Sequence, residues 1–359
     1  MAAKTAIEWT DATWNPITGC SIISPGCTHC YAMRLAGTRL RHCKSRKGLT
    51  VDGKAGPVWT GEVRFNKDAL FFPLQWKKSR KVFVCAHGDL FHEAVPDGWI
   101  MRVLHSMAQA PQHIYQILTK RPDRMLDFCR RWADVNVEQD LGFKGANGPD
   151  EVRAMHPSGR GQLFADMLEC MGTPPAGCAY PLFDWAGGMS RWQDVFPNIW
   201  LGVSVEDQVR ADLRREALRA LADIGWLTWV SYEPAIGPVD WTGWEFVRWI
   251  VSGGESGTDA RPSHPDWHRA TLDFCADHGI AYFFKQWGEW KAVYDRDFDD
   301  PDWRQTGKAE DVLNSQWLNL AGGQGFHGQR LLRVQRVGKK TAGRMLDGVE
   351  HNAMPEVRR

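Results

Sequence analysis

Three cysteines fall close together in the segment Gly19-Cys20-Ser21-Ile22-Ile23-Ser24-Pro25-Gly26-Cys27-Thr28-His29-Cys30-Tyr31, with spacing C-x6-C-x2-C. Thiolates are soft ligands suited to zinc or to iron-sulfur clusters, and Gly19, Pro25 and Gly26 allow the backbone to wrap such a centre. Three packed apolar thiols are the plain alternative, but polar loop residues flank them. Zinc would need a fourth ligand from His29, His42 or Cys43, and structural zinc sites usually draw on two paired spacings, whereas only Cys27 and Cys30 form such a pair here. Three cysteines with no obvious fourth leave one iron of a 4Fe-4S cluster open to a cofactor or substrate. The remaining six of the nine cysteines are scattered: Cys43, Cys85, Cys129 and Cys275 read as structural, while Cys170 and Cys178 also suit redox or metal roles. Without a secretion signal, nine cysteines do not make a disulfide framework, since cytosolic thiols are kept reduced.

The elements that must position these thiols follow them in the chain. Apolar, β-rich runs recur at Val82 to Ala86, His113 to Thr119, Ile199 to Ser204, Trp226 to Ser231, Val247 to Ser252 and Ile280 to Lys285. Helical segments lie between them, the pattern of βα units around a buried parallel sheet. Asp97 is placed to cap a helix with an apolar face of Trp99, Ile100, Val103, Leu104 and Met107. A second helix repeats Val209, Leu213, Ala217 and Leu221, and a third runs from Pro265 to Gly279. The fold class expected is α/β, a partial barrel of about six parallel strands.

In parallel βα architectures the chemistry lies beyond the carboxyl ends of the strands. The residues just past each run are polar: Asp89; Lys120 and Arg121; Ser204 and Glu206; Glu233; Glu255 and Ser256; Lys285 and Gln286. A ring of such groups converging on one mouth predicts a common active site. Gly253-Gly254-Glu255-Ser256-Gly257 lacks the lysine and the spacing of a phosphate loop, so a tight glycine turn that aims Glu255 into the mouth is expected instead.

The cysteine spacing resembles the radical S-adenosylmethionine superfamily, whose usual signature is C-x3-C-x2-C after the first barrel strand; here the first gap is three residues longer. Over most of its length the chain resembles the phage Gp37/Gp68-like family, related to that superfamily. The resemblance is carried by Ile7-Glu8-Trp9-Thr10, Thr13-Trp14-Asn15-Pro16, Gly26-Cys27, Cys30-Tyr31-Ala32, Asp89-Leu90-Phe91-His92 and Leu118-Thr119-Lys120-Arg121-Pro122. It continues through Leu201 to Glu206, Ser231 to Pro234, Gly253 to Gly257 and Phe284 to Gly288. The resemblance implies that Cys20, Cys27 and Cys30 hold a 4Fe-4S cluster, and that an external electron donor reduces it to cleave S-adenosylmethionine into methionine and a 5'-deoxyadenosyl radical. It places His87, Gly88 and Asp89 at the methionine amino group, with Asp89 as the carboxylate. Ser204 and Glu206 suit the ribose hydroxyls, although the charge of Glu206 equally suits the start of the following helix. His29 or Tyr31 could pack on adenine, and Gly253, Gly254 and Glu255 approach the cofactor. Lys120, Arg121, Glu233, Lys285 and Gln286 are the candidates on the substrate side.

The net charge of +1 gives no global attraction to nucleic acid or anionic membrane. The nineteen tryptophans read as packing, with stacking on a base as the alternative. No run reaches the length of a membrane span and Met1 to Asp11 lacks the core of a signal peptide, so a cytoplasmic protein is expected. Four regions are expected: residues 1–132 and 198–290 form the barrel, 133–197 a Gly- and Pro-rich insertion or lid, and 291–359 a C-terminal extension. Its basic tail (Arg330, Arg333, Arg336, Lys339, Lys340, Arg344) reads as a solvated helix face or as a phosphate contact for a nucleic-acid or nucleotide substrate. A zinc-stabilised nucleic-acid-binding protein without radical chemistry is the alternative from another class.

Overall fold

The computed structural model describes residues 5–133, 197–297, 299–301, 312–324 and 330–356. Nearly all of the expected insertion, including Cys170 and Cys178, lies outside them. Seven parallel strands form one sheet in the order β1 (Ala12–Trp14), β6 (Lys81–Val84), β7 (Ile114–Thr119), β8 (Ile199–Ser204), β9 (Leu227–Tyr232), β10 (Trp249–Gly253) and β11 (Ala281–Gln286). Order in space follows order in sequence and the two end strands do not pair, so the barrel is partial. All six expected runs are strands. The seventh, β1, is three residues long and stops before Pro16, too short to show a period. Two short antiparallel ribbons complete the cysteine region: β2 (Ile17–Thr18) with β5 (Arg64–Phe65), and β3 (Thr50–Gly53) with β4 (Gly56–Trp59). No helix among the described residues is long and apolar enough to cross a membrane.

Alternating strand residues serve two cores, as a period of two requires. One row (Val84, Ile117, Leu201, Val203, Val230, Ile250, Phe284) packs under the helices. The other (Phe83, Trp200, Trp229, Trp249, Val251, Phe283) meets Trp9 inside the barrel and closes it from below. Trp229 approaches Gly202 so closely that a Cβ there would lie 2.3 Å from the indole. These tryptophans are core, and Trp287 and Trp290 also donate their indole N–H to backbone carbonyls, of Met345 and Ala260.

The helices depart from expectation in register. In α2 (Asp97–Ala108) Pro96 occupies the cap position; Asp97 is the first helical residue and its carboxylate binds Arg124 and Arg131 of α3 (Pro122–Ala133). In α4 (Gln208–Asp223) Val209 and Leu213 are exposed, and the buried row is Ala211, Arg214, Ala217, Leu218 and Leu221. A strict four-residue repeat rotates off one face of a 3.6-residue helix, which is why the expected row fails. Helix α5 (Pro265–Asp277) lies where expected, and His264 caps it by accepting from the Asp266 amide.

Only the end of the basic tail is a helix face: Lys339 and Lys340 are exposed on the short helix Lys339–Ala342. Arg330–Arg336 is strand β14, flanked antiparallel by β12 (Trp290–Asp297) and β13 (Ser315–Leu318), with Leu332 and Val334 buried between its arginines. Arg330 binds Asp295 and Asp297, Arg333 donates to Ser315 and covers Trp317, Arg336 donates to the Gly257 carbonyl, and Arg344 meets Asn352 and Glu350.

Candidate active site

The cysteine loop leaves β1 and β2 at the carboxyl edge of the sheet. Gly19 bridges Gly88 just past β6, donating its amide to His87 O at 3.1 Å. A Cβ on Gly88 would meet the Gly19 and Ile17 carbonyls at 3.1 Å, so this zipper itself calls for glycine there. Pro25–Cys27 makes a single tight turn, closed by Cys27 N to Ser24 O at 2.9 Å, and Cys30 caps α1 (Tyr31–Gly37). Cys27 is buried; Cys20 and Cys30 are half-buried. Burial pushes the Cys20 thiol up to about 12, the Asp89 charge adds to this, Arg121 opposes it, and Cys30 and Cys27 raise it further. Burial likewise raises Cys30. Such thiols keep their protons at neutral pH unless a metal centre displaces them. Among the described residues, no three His, Cys, Asp or Glu side chains converge into a ready-made site for a metal ion.

Three ion networks, each centred on a buried carboxylate (Glu206, Asp89, Glu255), bolt this loop to the strand ends. Past β8, fully buried Glu206 accepts from Ser24 Oγ at 2.7 Å, from Arg214 Nη1 at 2.7 Å and from Lys120 Nζ. Burial would raise its pKa, but Lys120 and Arg214 hold it down at about 2. A Cβ on Gly26 would stand 2.5 Å from Glu206 Cγ, so the loop lies directly on this side chain. The cap of α4 is instead Asp207, which accepts from the Arg210 amide.

Past β7, Arg121 is enclosed: Nε donates to Glu93 at 2.7 Å, Nη1 to Asp89 at 3.0 Å, Nη2 to Ser21 Oγ at 2.6 Å, and Nη1 also reaches Cys20 Sγ at 3.7 Å. Asp89 additionally accepts from Phe91 N, Thr119 Oγ1 and Lys120 N, so both of its oxygens are occupied by protein donors. Expected from sequence on the substrate side, Arg121 is buried beside a cysteine. Past β10, Glu255 accepts from Arg261 through Nε, Nη2 and the amide, and from His29 Nδ1 at 3.2 Å; Arg261 also donates to Pro25 O. Glu255 thus points at the cysteine loop and is braced there, with its pKa lowered by Arg261 against the cost of burial.

The glycines after β10 answer to the neighbouring strand end. A Cβ on Gly254 would lie 2.1 Å from Trp287 O, and one on Gly288 1.9 Å from Glu255 O. The close approach seen there is between the two backbones. Gly253 ends β10 against Gln286. What stays open at the mouth is a smaller set. Glu233 receives Lys285 Nζ at 2.7 and 2.8 Å and Gln286 Nε2 at 3.1 Å, and the Glu233 and Lys285 side chains keep 16% and 15% exposure. Tyr31 donates to Ala86 O and stands edge-on to His87, whose Nδ1 is buried without a partner among the described residues. Burial drops His87 to about 4. Ser204 is buried, with its carbonyl held by Arg214.

The sequence-expected residues therefore separate into braces (Asp89, Arg121, Glu206, Glu255), a partly exposed mouth (His29, Tyr31, His87, Glu233, Lys285) backed by buried Gln286, and Lys120, which braces Glu206 yet keeps 18% exposure. Sequence reading missed Ser21, Ser24, His92, Arg214 and Arg261. His92 lies against Ser21 Oγ at 3.0 Å. Arg214 had a signal: it shares the helical row of Ala211, Leu218 and Leu221.

Residues 4–355 match the family described as "Protein of unknown function (DUF5131)", and the chain belongs to that family. The phage Gp37/Gp68-like name is carried by the sequence resemblance alone. No curated protein matches. Among solved structures the chain is similar to a mutant spore photoproduct lyase with bound AdoMet and dinucleoside spore photoproduct, at 10% identity and a TM-score of 0.32, over 89% of this chain and 67% of that one.

Proposed function

We propose that this DUF5131 protein is a radical S-adenosylmethionine enzyme in which Cys20, Cys27 and Cys30 hold a 4Fe-4S cluster, with nucleic acid or a nucleotide as its substrate. The observation that carries the reading is the seating of a three-thiol loop, by three ion networks centred on buried carboxylates, over the carboxyl mouth of a parallel partial barrel. Reduced by an external donor, such a cluster cleaves S-adenosylmethionine to methionine and a 5'-deoxyadenosyl radical, chemistry that belongs to the cofactors.

The chain supplies position and charge. Arg121 offers an N–H and a fixed positive charge to Cys20 Sγ, and the charge of Lys120 favours the Cys30 thiolate. Hydrogen bonds to the sulfurs and local charge are the levers that set the potential of an iron-sulfur centre. Glu233 and Lys285, backed by buried Gln286, form the partly open polar set that would hold the amino-acid end of the cofactor or the substrate, and His29 and Tyr31 flank the cysteines where adenine would pack. The tryptophan layer seals the barrel from below, which keeps bulk water out of the mouth from that side.

Anaerobic reconstitution with iron and sulfide should load about four irons per chain and give iron-sulfur absorbance. Cys20→Ala, Cys27→Ala and Cys30→Ala should each lose it, while Cys43→Ala, at an exposed position, should not. Stoichiometric zinc without that absorbance in anaerobically purified protein would end the radical reading in favour of a zinc-stabilised binding protein.

A further inference from the structure

A long run of unmatched charge lies outside the tail. Between α1 and β3 the chain reads Arg39-Leu40-Arg41-His42-Cys43-Lys44-Ser45-Arg46-Lys47, five fixed cations in nine residues with no carboxylate. Arg39, Arg41, Lys44 and Lys47 are exposed, and their side chains make no ion pair among the described residues. In the tail, by contrast, Arg330, Arg333, Arg336 and Arg344 are all engaged.

The run forms one wall of a cavity of about 430 Å³, lined by Asn15, Lys44, Arg46, Arg64, Asn66 and Lys67 among others, with Asp68 its one carboxylate against four cations. The wall is built. Arg64 donates to the Lys44 carbonyl at 2.6 Å and to the Lys47 carbonyl at 2.8 Å, fixing the run against β5. Thr18 Oγ1 donates to Ser45 O at 2.6 Å, and Asn66 Nδ2 binds both Thr18 Oγ1 and Asn15 O. Thr18 stands two residues before Cys20, and Asn15 Oδ1 accepts from the His87 amide at the mouth. Cavity and cysteine loop therefore share one frame.

We infer that this basic cavity and the adjoining run bind the phosphodiester backbone of a nucleic acid, holding it beside the mouth. Cations and amide groups with little competing negative charge suit phosphate oxygens, which position a nucleic acid without reading its sequence. Cations spread along a run as well as around a cavity match a polymer of phosphates better than a single one. The binding stands on charge and geometry alone; only its meaning as the substrate site rests on the radical reading.

The test is fluorescence anisotropy of a labelled single-stranded oligonucleotide with the full chain, titrated at salt concentrations between about 50 and 200 mM. Lys44→Gln/Arg46→Gln/Lys67→Gln should weaken binding at least about tenfold at the lower salt and flatten the slope of log affinity against log salt by about one per lost contact. Arg39→Gln/Arg41→Gln, confined to exposed side chains, should act in the same direction if the first variant folds poorly. Lys339→Gln/Lys340→Gln in the tail should leave binding unchanged. Unchanged affinity in both patch variants, or an equal loss in the tail variant, overturns the inference. So does displacement of the oligonucleotide by a nucleoside monophosphate at equal phosphate concentration, which makes the cavity a small-molecule site. A chain that binds the oligonucleotide but never loads iron leaves this inference standing and sinks the radical reading; one that loads iron, cleaves S-adenosylmethionine and ignores the oligonucleotide does the reverse.

Discussion

Glu206→Ala will unseat the cysteine loop and cost about 3–5 kcal/mol of stability, the range for removing one partner of a buried ion pair. Its carboxylate is fully buried and neutralises two cations at once, Lys120 from β7 and Arg214 from α4, while accepting from Ser24 in the loop. Alanine leaves Arg214 without its counter-charge in a dry place, removes that of partly exposed Lys120 and opens a void under Gly26. Iron retained per chain should fall with the stability, because the loop loses the anchor between Cys20 and Cys27. Glu206→Gln keeps the shape and an acceptor for Ser24 but not the charge, so it should fall between alanine and the parent in both readouts. Guanidinium unfolding of the metal-free chains and iron analysis of the reconstituted ones decide the matter. A Glu206→Ala chain as stable and as iron-loaded as the parent would show that water satisfies Lys120 and Arg214.

Stability should drop steeply as pH falls from 6.5 toward 4, before most carboxylates titrate. Burial holds His268 at about 3 and His264 at about 4. His268 sits between Ser252 Oγ at 2.6 Å and Ser263 Oγ at 2.7 Å, and His264 uses its ring nitrogen to cap α5. The sign follows from linkage: the folded pKa lies below the unfolded one, so the unfolded chain binds the extra protons. The stability of each neutral ring is present above pH 6.5 and is lost as pH falls toward the folded pKa. Both rings are fully buried, so at pH 5 they together cost about 4 kcal/mol, an order-of-magnitude figure. The depressed Glu206 adds its loss only below about 4.5, so the two groups act in successive windows. The thermal midpoint followed from pH 8 to pH 5 should fall, and the fall should be shallower in His268→Gln whatever its midpoint at pH 8. A flat profile in the parent would mean that these rings are protonated, or solvated, in the native state.

The barrel was readable because its strands are buried on both faces and appear as unbroken apolar runs, with polar residues beginning where each run ends. In strand β14 the dense arginines mask the strand's period, although Leu332 and Val334 alternate with Arg333 and Gln335. The positions of the site residues were readable and their partners were not. Lys120 meets Glu206 across 86 residues and Arg121 meets Asp89 across 32, and a spacing along the chain says nothing about such pairings. The same limit explains why residues expected to face a substrate turned out to be braces: a carboxylate past a strand end looks alike from sequence whether it greets a ligand or a guanidinium.

The tryptophan floor of the barrel has a consequence for the order in which the chain folds. Trp9 packs on Trp229 and Trp249, and the Trp249 indole donates to Ala353 O at 3.0 Å, while Asn352 bridges Phe283 and Ala353 N donates to Tyr282 O. Segments from opposite extremes of the sequence thus finish the same layer and cover the free edge of β11. During synthesis the cysteine loop leaves the ribosome early, yet the floor beneath its mouth stays open until residues 351–353 arrive. Contacts so distant in sequence form slowly, and an uncovered strand edge invites association in the meantime. Cluster insertion should consequently follow the arrival of residues 351–353 rather than precede it, with the nascent thiols exposed to oxidation for the whole of that interval.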